Sequence, residues 1–596
     1  MKFKSKIIVF VVLVSMLSLV LLGCQSETPA DNNSDAQEEG LYKPGTYIGE
    51  GDGMGGKVQV SVSVDKNNIL EVKVLENNET TGIGDAAIDK IPTKIVEGQT
   101  LAVDVVSGAT ITSEAILAAV EAALKEAGAD VSALKTKGEY KTVSGDNTFD
   151  TEVVVVGAGA AGLSAALEAA NNGAKVILVE KLAMTGGSTA RSGGKVQAAG
   201  TDIQKANGVE DNADLYYNHL MSVGENKVDQ LKTRLIADNS LADFNWLVEN
   251  GVEFSKNIEQ LHDKYRPIRG HYVSVQDGKV EQDGHGWAIT QPLEKAAIDK
   301  GVEILLETPA KKLIIDNKGT VTGIECEDAQ GNKITINSKA VILATGGYDL
   351  NKELLEEYAP LVKPVYSTVA PGNVGDGLIM ARDAGAKIQS GGGAVLLYLD
   401  LAAGVGEVGG LYVDATGSRF VDETEFWFTR TKKLMDRNQT GMFYITDVKG
   451  KLDSFDALVQ AGKMVEGSTI EDLAGKLGMT ELATTVERYN QLAKKGVDED
   501  FNKDPEYMKT VEEGPFYAVA FAPITSGTFG GPVTNEKGQV IAEKGGIING
   551  LYAAGEVANG DLFYQEYPGS GSSISTCVGM GRIAGRVAAE EAKTLR

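Results

Sequence analysis

A glycine-rich turn directly after a run of valines is the clearest chemical signal in the sequence. Val153–Val156 has the composition of a buried strand, the turn Gly157-Ala158-Gly159-Ala160-Ala161-Gly162 follows it, and Glu180 stands 18 residues beyond Gly162. Glycines at this spacing allow a tight turn and let a pyrophosphate approach the backbone, while the carboxylate accepts hydrogen bonds from ribose hydroxyls. Because a strand precedes the motif and a helical pattern follows it, the sequence predicts a dinucleotide site here.

A second candidate site is a run of hydroxyl side chains ahead of another helical pattern. The segment Asp104-Val-Val-Ser-Gly-Ala-Thr-Ile-Thr-Ser113 passes from an extended stretch into a helix. The start of a helix presents unpaired backbone N–H groups, which suit a phosphate. Ser and Thr are also common helix caps, so the residues alone leave both interpretations open.

The elements that must position these residues divide into two units. In the first, Val58–Val64 and Ile69–Val74 alternate apolar and polar side chains as half-buried strands do, and Ser113–Ala127 has the period of an amphipathic helix. The polar stretch Leu134–Thr148 lacks periodicity and predicts a linker. A small domain therefore precedes the dinucleotide turn.

The second unit begins at about Asp150. A helix over Ala161–Asn171 and a strand over Lys175–Val179 complete a βαβ unit with the valine strand. This order of elements opens a large α/β domain with a parallel sheet.

Length and composition limit the possible functions. The chain of 596 residues has room for several domains, and its net charge of −26 disfavours nucleic acid and anionic lipid as electrostatic partners. Besides Cys24 it contains Cys326 and Cys577, without a Cys-x-x-Cys spacing. The sequence therefore predicts neither a disulfide framework nor a metal site.

The first residues have the layout of an export leader. Lys2, Lys4 and Lys6 precede an apolar run over Ile7–Leu22, and Leu21-Leu22-Gly23-Cys24 follows. This arrangement resembles a bacterial lipoprotein signal, which implies cleavage before Cys24, lipidation of that cysteine and a location on the extracytoplasmic face of the cell membrane. The alternative is an uncleaved transmembrane anchor, for which the apolar run is slightly short.

The hydroxyl-rich segment resembles the motif of FMN-binding domains found in sodium-pumping quinone reductase subunits and extracellular reductases. In those domains a flavin transferase joins FMN to a threonine through a phosphoester bond. The resemblance covers about 85 residues and implies covalent FMN at Thr110. Outside the cell, a tethered flavin would not be lost by diffusion, and it would serve as an electron relay.

Several segments favour FAD over NAD at the dinucleotide turn. Thr185–Gly194 is a Gly/Ser-rich loop of the kind that passes along an isoalloxazine ring, and Ala344–Gly347, Gly375–Gly377 and Ala554–Glu556 agree with it. Together they resemble the flavoproteins of fumarate reductases and succinate dehydrogenases, especially flavocytochrome-type fumarate and urocanate reductases and 3-ketosteroid dehydrogenases. The resemblance covers nearly all of residues 150–596. The heme motif Cys-x-x-Cys-His is absent from the sequence, so flavin replaces the hemes of the flavocytochromes.

The resemblances imply an α/β fold class: a Rossmann-like FAD domain with an inserted α+β capping domain, preceded by a small α+β FMN-binding domain and a lipoprotein signal. The predicted bounds are signal 1–23, tether 24–40, FMN-binding domain 41–130, linker 131–149, FAD-binding domain 150–388 with 522–596, and capping domain 389–521. Substrate is expected between the cap and the flavin.

The same resemblance implies a set of FAD contacts spread along the chain. The implied residues are Gly157, Gly159, Ala161, Gly162, Glu180, Lys181, Gly187, Ser188, Gly193, Gly194, Ala310, Gly346, Asp376, Gly555, Glu556, Ser573 and Ile574.

The proton donor of the fumarate-type relatives is an arginine that follows an Arg-Phe-x-x-Glu segment in the cap. That segment occurs at Arg419–Glu423, but the expected arginine position falls at Trp427. Arg430 takes the role if the chain carries an insertion, and the alternative is a solvated arginine in a basic run. Tyr398 and Tyr412 are the other candidates for the acid.

The residues that bind the substrate carboxylate in the fumarate-type relatives are also replaced in this chain. Ser526-Gly527 stands where they have two histidines, and Tyr567-Pro568-Gly569-Ser570-Gly571 stands where they have an arginine. Loss of these groups removes the charge-assisted bonds that a dicarboxylate requires. The second segment resembles 3-ketosteroid dehydrogenases, which implies that Tyr567 and Gly571 bind a ketone oxygen. The alternative is a tight turn with a packed tyrosine.

These features predict an exported, FAD-dependent oxidoreductase that acts on CH–CH groups in anaerobic respiration. Electrons would pass from a membrane carrier through FMN to FAD and then to an activated C=C, an enone or enoate other than fumarate. The alternatives are a 3-ketosteroid-type dehydrogenase, a fumarate- or urocanate-type carboxylate reductase, and a flavin electron-carrier lipoprotein.

Overall fold

The computed structural model describes residues 41–594 apart from short gaps. The residues outside the description are 1–40, 67, 80–83, 99, 102, 104, 107, 108, 130, 135–146, 259–267, 277–280, 284, 285, 329, 330, 361, 363–365, 401–409, 426, 440, 595 and 596. Cys24, the predicted leader and tether, and most of the predicted linker therefore lie outside it. Within the described part of the chain, every helix is too short or too polar to cross a membrane.

The N-terminal domain packs one face of a sheet against a helix. Its elements are β1 (Gly45–Asp52), β2 (Lys57–Val64), β3 (Ile69–Glu76), α1 (Asp85–Gly98), α2 (Thr110–Glu126) and α3 (Val131–Leu134). The alternate valines of β2 are fully or almost fully buried, as the period of two requires. A Cβ at Gly49 would lie 1.9 Å from the carbonyl oxygen of Ala119 in α2, so this glycine lets the helix approach the sheet.

The rest of the chain forms the FAD domain and its insertion. Its strands are β4 (Asn147–Asp150), β5 (Val153–Val156), β6 (Val176–Val179), β7 (Lys195–Gln197), β8 (Phe254–Ile258), β9 (Gly270–Gln276), β10 (Glu281–Asp283), β11 (Glu303–Leu305), β12 (Ala310–Ile315), β13 (Val321–Glu327), β14 (Lys333–Asn337), β15 (Ala340–Leu343), β16 (Tyr366–Ser367), β17 (Ile388–Asp400), β18 (Leu411–Asp414), β19 (Met442–Thr446), β20 (Met464–Gly467), β21 (Phe516–Pro532), β22 (Gln539–Ile541) and β23 (Ile547–Ala553). Its helices are α4 (Ala160–Asn171), α5 (Gly187–Ala190), α6 (Asp202–Ala206), α7 (Ala213–Val223), α8 (Gln230–Glu249), α9 (Trp287–Asp299), α10 (Lys352–Tyr358), α11 (Asp376–Asp383), α12 (Trp427–Asp436), α13 (Phe455–Gln460), α14 (Ile470–Leu477), α15 (Leu482–Lys495) and α16 (Ser572–Thr594).

The central sheet of the FAD domain has the order β11-β6-β5-β15-β23-β22. Its strands are parallel except β22, which runs antiparallel to β23. The chain passes from β5 to β6 on one side, whereas β15 lies on the other. The carboxyl end of β5 is thus a topological switch point, where open α/β sheets bind ligands.

The insertion is attached through two long strands that pair with each other. β17 and β21 run antiparallel from Ile388 opposite Pro532 to Asp400 opposite Phe521. The predicted domain bounds at 389 and 521 fall inside this ribbon, so the cap is joined to the FAD domain by continuous strands. The cap sheet is completed by β18, β19 and β20, with α12 to α15 packed around it.

The predicted linker differs from the structure at both ends. Residues 131–134 form α3, and β4 starts at Asn147 and pairs with β14. The polar composition of these residues suggested a linker. In the structure, however, the strand pairs with β14, which supplies hydrogen-bond partners to its backbone.

The N-terminal domain contacts the FAD domain through α1. The Lys90 ammonium donates a hydrogen bond to the carbonyl oxygen of Ala183, and the Ala183 side chain is buried in the core of the N-terminal domain. Lys94 and Glu307 form an ion pair across the same boundary, with 3.9 Å between Nζ and Oε2.

Candidate active site

The turn after β5 has a distinct steric reason for each of its three glycines. Gly157 has a φ of +100°, and a Cβ there would lie 2.5 Å from the carbonyl oxygen of Ala344. A Cβ at Gly162 would lie 1.8 Å from the Gly157 carbonyl oxygen, so this residue allows α4 to pack on the strand. A Cβ at Gly159 would have its nearest neighbour, the Gly186 carbonyl oxygen, 3.9 Å away, so the backbone here is open to a ligand. The turn therefore fits a pyrophosphate.

Glu180 closes the turn from the end of β6. Its carboxylate accepts hydrogen bonds from the backbone N–H groups of Ala158, at 2.8 Å, and Leu182, at 2.9 Å. Burial raises the pKa of Glu180, although these N–H groups act in the opposite direction. The carboxylate is thus fixed at the cleft wall, where it fits the hydroxyls of an adenosine ribose.

A cleft lies at the switch point, with about 740 Å³ of empty space that includes open solvent at its mouth. Many of the predicted FAD contacts line it: Gly157, Gly159, Ala161, Glu180, Lys181, Gly187, Ser188, Ala310, Gly346, Asp376 and Glu556. Residues that sequence reasoning missed also line it, among them Thr189, Thr308, Asn373 and Cys577. They come from separate loops and helices, and only the fold brings them together.

The other predicted FAD contacts lie outside the lining of this cleft. Gly162 and Gly555 serve close packing, since a Cβ at Gly555 would lie 2.5 Å from the Cβ of Ala161. Gly193 is exposed and Gly194 is buried. Ser573 and Ile574 lie in the first turn of α16, four and three residues before Cys577.

Two predicted contacts neutralise each other at one edge of the cleft. The Lys181 ammonium donates to the Asp376 carboxylate, and both side chains are partly exposed. Ser188 accepts a hydrogen bond from the backbone N–H of Ala370 at 3.1 Å, which ties the Gly/Ser-rich loop to the segment before α11. These contacts fix the loop along the cleft.

Glu556, which lines the cleft, forms a buried pair of carboxylates with Asp349. Glu556 accepts hydrogen bonds from the Thr528 backbone N–H at 2.8 Å and from the Asn373 amide at 3.3 Å. Asp349 accepts one from the Gly527 backbone N–H at 3.0 Å. Burial and the nearby charge of Asp349 raise the pKa of Glu556 to about 8. The pair therefore holds a proton near neutral pH.

In the N-terminal domain, Thr110 is exposed at the first position of α2. The hydroxyls beside it are engaged inside the domain: Thr112 donates to Glu79, and Ser113 donates to the Ala109 carbonyl oxygen at 2.8 Å. Asp104, Ser107 and Gly108 of the motif lie outside the described residues. Thr110 thus presents its hydroxyl at the surface, at a helix start that suits a phosphate.

Tyr567 and Gly571 lie together at the start of α16. The Tyr567 hydroxyl accepts a hydrogen bond from the Ser573 backbone N–H at 2.8 Å. Gly571 has a φ of +90° and packs on the backbone of Lys195, where a Cβ would be 2.9 Å from the carbonyl oxygen. A phenol hydroxyl can donate as well as accept a hydrogen bond, and a ketone oxygen is an acceptor.

The structure overturns the solvated alternative for Arg430. Its side chain is 2% exposed, its guanidinium lies over the Tyr412 ring at 4.7 Å, and it donates to the Glu423 carbonyl oxygen at 3.1 Å. Lys432 and Lys433 are more exposed and form ion pairs with Asp436 and Glu425. The described contacts of Arg430 lie within the cap, and its role as proton donor stays a prediction.

The Arg-Phe-x-x-Glu segment is part of a buried ion network. Arg419 binds Glu423 and Asp498 at 2.7 and 2.8 Å, and Lys503 binds Glu423 at 2.9 Å. The segment therefore holds the cap together. The backbone of Tyr398 lies in β17, but its side chain lies outside the described part of the structure.

Comparison with known proteins gives matches over both parts of the chain. The FAD binding domain family matches residues 152–574, and the FMN-binding domain family matches residues 53–125. The chain is 31% identical over 600 residues to the urocanate reductase of Eggerthella lenta, with 96% of each chain covered.

Two solved structures are similar in fold and sequence. The 3-ketosteroid-Δ4-(5α)-dehydrogenase of Rhodococcus jostii RHA1, in complex with 4-androstene-3,17-dione, has a TM-score of 0.65 and 26% identity and covers 75% of this chain and 98% of its own. The open conformation of a flavocytochrome c3 fumarate reductase has a TM-score of 0.61 and 28% identity and covers 78% of this chain and 84% of its own.

Proposed function

Because the chain belongs to the FAD binding domain family and carries an FMN-binding domain ahead of it, we propose that it is an exported reductase of enones and related conjugated carbonyls. The predicted fold class and both flavin-binding domains are confirmed by the family matches. The chain is a flavin-dependent reductase of the fumarate and urocanate reductase type. The nature of the substrate and the path of the electrons are the new parts of the proposal.

The geometry around Tyr567 carries the proposal for the substrate. Its hydroxyl accepts a hydrogen bond from the Ser573 N–H, and because a phenol can both accept and donate hydrogen bonds, we propose that it donates to a substrate carbonyl oxygen. Ser526 and Gly527 stand where the fumarate-type motif has histidines. A neutral donor binds a ketone well but does not compensate the charge of a dicarboxylate. Carbonyl binding by Tyr567 therefore favours a neutral conjugated carbonyl over fumarate as the substrate.

The cleft residues described above would hold FAD, with Glu180 at the ribose and the turn after β5 at the pyrophosphate. The chemistry that bound FAD supplies is hydride transfer. The chain's own part is to polarise the carbonyl at Tyr567 and to supply a proton to the α-carbon. Arg430 and Tyr398 are the proposed sources of that proton.

The first flavin is proposed to be FMN bound covalently at Thr110 by a flavin transferase. The exposed position of Thr110, next to hydroxyls that are already engaged, supports this assignment. A lipid at Cys24 would keep the protein on the extracytoplasmic face of the membrane, where a membrane carrier would reduce the FMN. An anchored enzyme with a tethered flavin retains both its location and its relay.

A substrate comparison tests the proposal. The full-length, flavin-loaded protein is supplied with reduced viologen and given either benzylideneacetone, a neutral enone, or fumarate, and viologen oxidation is followed. We expect the enone to have the higher kcat/KM. Faster turnover of fumarate would overturn the proposal that the site binds its substrate through an uncharged donor.

A second candidate is a dehydrogenase, because Tyr567 can polarise the same ketone when electrons flow from substrate to FAD. The likeness to the ketosteroid dehydrogenase supports this direction. It predicts that a saturated ketone reduces an artificial acceptor in the presence of the protein. For a reductase, we expect viologen-driven enone reduction to be faster than this reverse reaction.

A further inference from the structure

Two carboxylates meet beside the FAD cleft, and neither takes part in the proposed binding of the substrate carbonyl. We propose that Asp349 and Glu556 share one proton at neutral pH and take up a second proton when bound FAD is reduced. The pair thereby balances the negative charge that electrons bring into the cleft. This inference rests on the FAD domain and goes beyond the proposed function, because it holds for any substrate that the flavin reduces.

The backbone of β21 binds the two carboxylates at consecutive residues. Asp349 accepts a hydrogen bond from the Gly527 N–H at 3.0 Å. Glu556 accepts one from the Thr528 N–H at 2.8 Å. Space for the Glu556 carboxylate depends on glycine, since a Cβ at Gly347 would lie 2.1 Å from its Oε1 and a Cβ at Gly527 would lie 3.2 Å from the same oxygen. The fold therefore leaves room for Glu556 here and holds both carboxylates to one strand.

One oxygen of the Asp349 carboxylate lacks a hydrogen bond. Asp349 is 4% exposed, and among the described residues none donates a hydrogen bond to its Oδ2. The Thr525 hydroxyl and the Asn373 amide favour the ionised form, but burial outweighs them and raises the pKa of Asp349. An ionised carboxylate has acceptors only, whereas a protonated one also has a donor. A buried carboxylate oxygen without a donor therefore fits the protonated state.

The other titratable groups that interact with the pair are neutral. Tyr348 directly precedes Asp349, and Cys577 of α16 lines the cleft. Burial raises the pKa of the Tyr348 phenol, and it raises the pKa of the Cys577 thiol to about 12. Lys181, which also lines the cleft, is paired with Asp376. Among the described residues, no cation is paired with either carboxylate. Because two buried carboxylates in contact cannot both ionise readily, they hold a proton between them.

Glu556 connects the pair to the cleft. It lines the cleft together with the residues that fit FAD, and the Asn373 amide donates to its carboxylate at 3.3 Å. Oδ1 of Asn373 in turn accepts a hydrogen bond from the Ser188 hydroxyl, in the Gly/Ser-rich loop, at 3.3 Å. Flavin that has accepted two electrons and one proton adds a negative charge to this cleft. A like charge disfavours the ionised form of a carboxylate, so the proton affinity of the pair rises on reduction.

The step at the pair is the uptake of a proton from solvent. Before reduction the pair carries one proton and one negative charge, and after reduction it carries two protons and no charge. The new O–H bond forms on the carboxylate that was ionised, and the proton comes from solvent hydronium. The electrons come from a one-electron carrier such as reduced viologen and stay on the flavin. When the flavin is oxidised again, the same O–H bond breaks and the proton returns to solvent.

Proton uptake during reduction tests the pair. The full-length holoenzyme, in weakly buffered solution with a pH-indicator dye, is reduced without oxygen by reduced viologen, which gives up electrons without protons. The double variant Asp349→Asn/Glu556→Gln keeps an acceptor oxygen in each side chain but does not titrate. At neutral pH we expect the unmodified protein to take up about one proton more per molecule than the variant. The contribution of FMN is common to both proteins and cancels. In acid both carboxylates are protonated before reduction, so the difference should disappear.

The matched control is Asp383→Asn/Glu536→Gln, which removes two exposed carboxylates of the FAD domain and should behave as the unmodified protein. Infrared spectroscopy gives a readout that needs no variant. In the reduced-minus-oxidised difference spectrum of the unmodified holoenzyme, we expect a gain of the C=O stretch of a protonated carboxylic acid, with a shift in D₂O. Equal proton uptake by the unmodified protein and the Asp349→Asn/Glu556→Gln variant at neutral pH, or no gain of this band, would overturn the inference. Either result would leave enone reduction intact, because that proposal depends on substrate turnover.

Discussion

The phenol oxygen of Tyr567 lies 2.8 Å from the backbone nitrogen of Ser573 and accepts its hydrogen bond at the first turn of α16. The N-terminal end of a helix carries partial positive charge. A phenol that accepts such a bond becomes a stronger donor through its own O–H, because hydrogen bonds in a chain polarise one another. This contact connects the helix to the carbonyl that the site is proposed to bind.

Replacement of Tyr567 by phenylalanine should remove the donor and retain the ring. We expect Tyr567→Phe to lower kcat/KM for an enone by about 10²–10³-fold, as loss of one oxyanion donor does in other enzymes. FAD content, read from the absorption spectrum after release, should stay the same. Full activity in this variant would show that the hydroxyl does not bind the carbonyl.

Replacement of Thr110 tests the covalent flavin. In Thr110→Ala we expect intact-protein mass spectrometry to show loss of the mass of one FMN, with FAD still bound. Reduction driven by membranes should fall to background, whereas viologen should still deliver electrons to the FAD. The control is Thr46→Ala, another exposed threonine of the same domain, which should keep the FMN. An unchanged mass of the Thr110→Ala protein would place the attachment elsewhere.

Elements with a strong local pattern were predicted closely. The four-valine strand occurs at Val153–Val156 as expected, since an apolar run buried on both faces has few other interpretations. Helix α4 begins one residue before the predicted start, and α2 begins at Thr110, three residues early. The glycine turn could be recognised because all of its contacts are local.

Elements built from distant segments could not be predicted in detail. The ribbon of β17 and β21 pairs residues more than 120 positions apart, and both strands contain glycines that do not suggest a strand. Those glycines are required by close crossing: a Cβ at Gly531 would lie 1.7 Å from the carbonyl oxygen of Val557. The local composition therefore reflects tertiary contacts.

The candidate site also combines residues that a local motif reveals with residues that only the fold brings together. Glu180 could be identified from its spacing, whereas Asn373 belongs to no motif and reaches the cleft through the fold, as Asp349 reaches the neighbourhood of Glu556. Burial of Arg430 was missed because its neighbours Lys432 and Lys433 suggest a solvated surface. A helix buries one face only, so adjacent charged residues can differ completely in exposure.

The apoprotein should lose stability as pH rises, because of Glu556. Its pKa is about 8 in the folded chain against an ordinary value of 4.5, so the fold favours the protonated form. The stabilisation is complete below pH 4.5 and is lost as pH rises through 8. Burial raises the pKa of Asp349 as well, which acts in the same direction.

We expect the Tm of the FAD-depleted protein, measured by scanning fluorimetry, to decline between these pH values. Glu556→Gln keeps the size and hydrogen-bonding capacity of the side chain but does not titrate, so its Tm should decline less. The control Glu536→Gln alters an exposed carboxylate and should follow the unmodified protein. A profile of Glu556→Gln identical to that of the unmodified protein would contradict this assignment.

The ion network of the cap should prove structural. Glu423 binds Arg419 and Lys503 with all three side chains buried. Burial would raise the pKa of Glu423, but the two cations more than offset it and hold the pKa below its usual value. Glu423→Gln removes the carboxylate that pairs with the buried Lys503, whereas Arg419 keeps Asp498, and breaking a buried ion pair costs about 3–5 kcal/mol. We expect a lower midpoint of denaturation and earlier proteolysis within the cap.

The exposed pair of Arg488 and Asp500 provides the control for this variant. Their side chains are 47% and 35% exposed. Exposed ion pairs contribute ~0–1 kcal/mol to stability. Asp500→Asn should therefore change the midpoint little. Because Glu423 titrates below its usual pKa, its contribution is present above the ordinary pKa and is lost as pH falls, so the unmodified cap should approach Glu423→Gln in acid. Equal stability of the two proteins at neutral pH would contradict the structural role.

Contact between the two flavin domains should control how fast electrons pass between them. The Lys90 ammonium donates to the Ala183 carbonyl oxygen in a partly buried contact, and burial lowers the pKa of Lys90. Lys90→Met keeps the apolar stem and loses the hydrogen bond, a change of about 1 kcal/mol or roughly fivefold in docking. We expect a similar decrease in the rate of electron transfer from FMN to FAD, measured by stopped-flow absorbance after reduction of the FMN.

The ion pair of Lys94 and Glu307 crosses the same boundary but is longer and partly exposed. Lys94→Gln should therefore slow the transfer by less than about twofold, and high salt should remove even that difference. Direct reduction of FAD by viologen should be equal in both variants, because neither residue lines the FAD cleft. If Lys90→Met transferred electrons at the original rate, docking through α1 would not limit the relay, and another arrangement of the domains would have to carry the electrons.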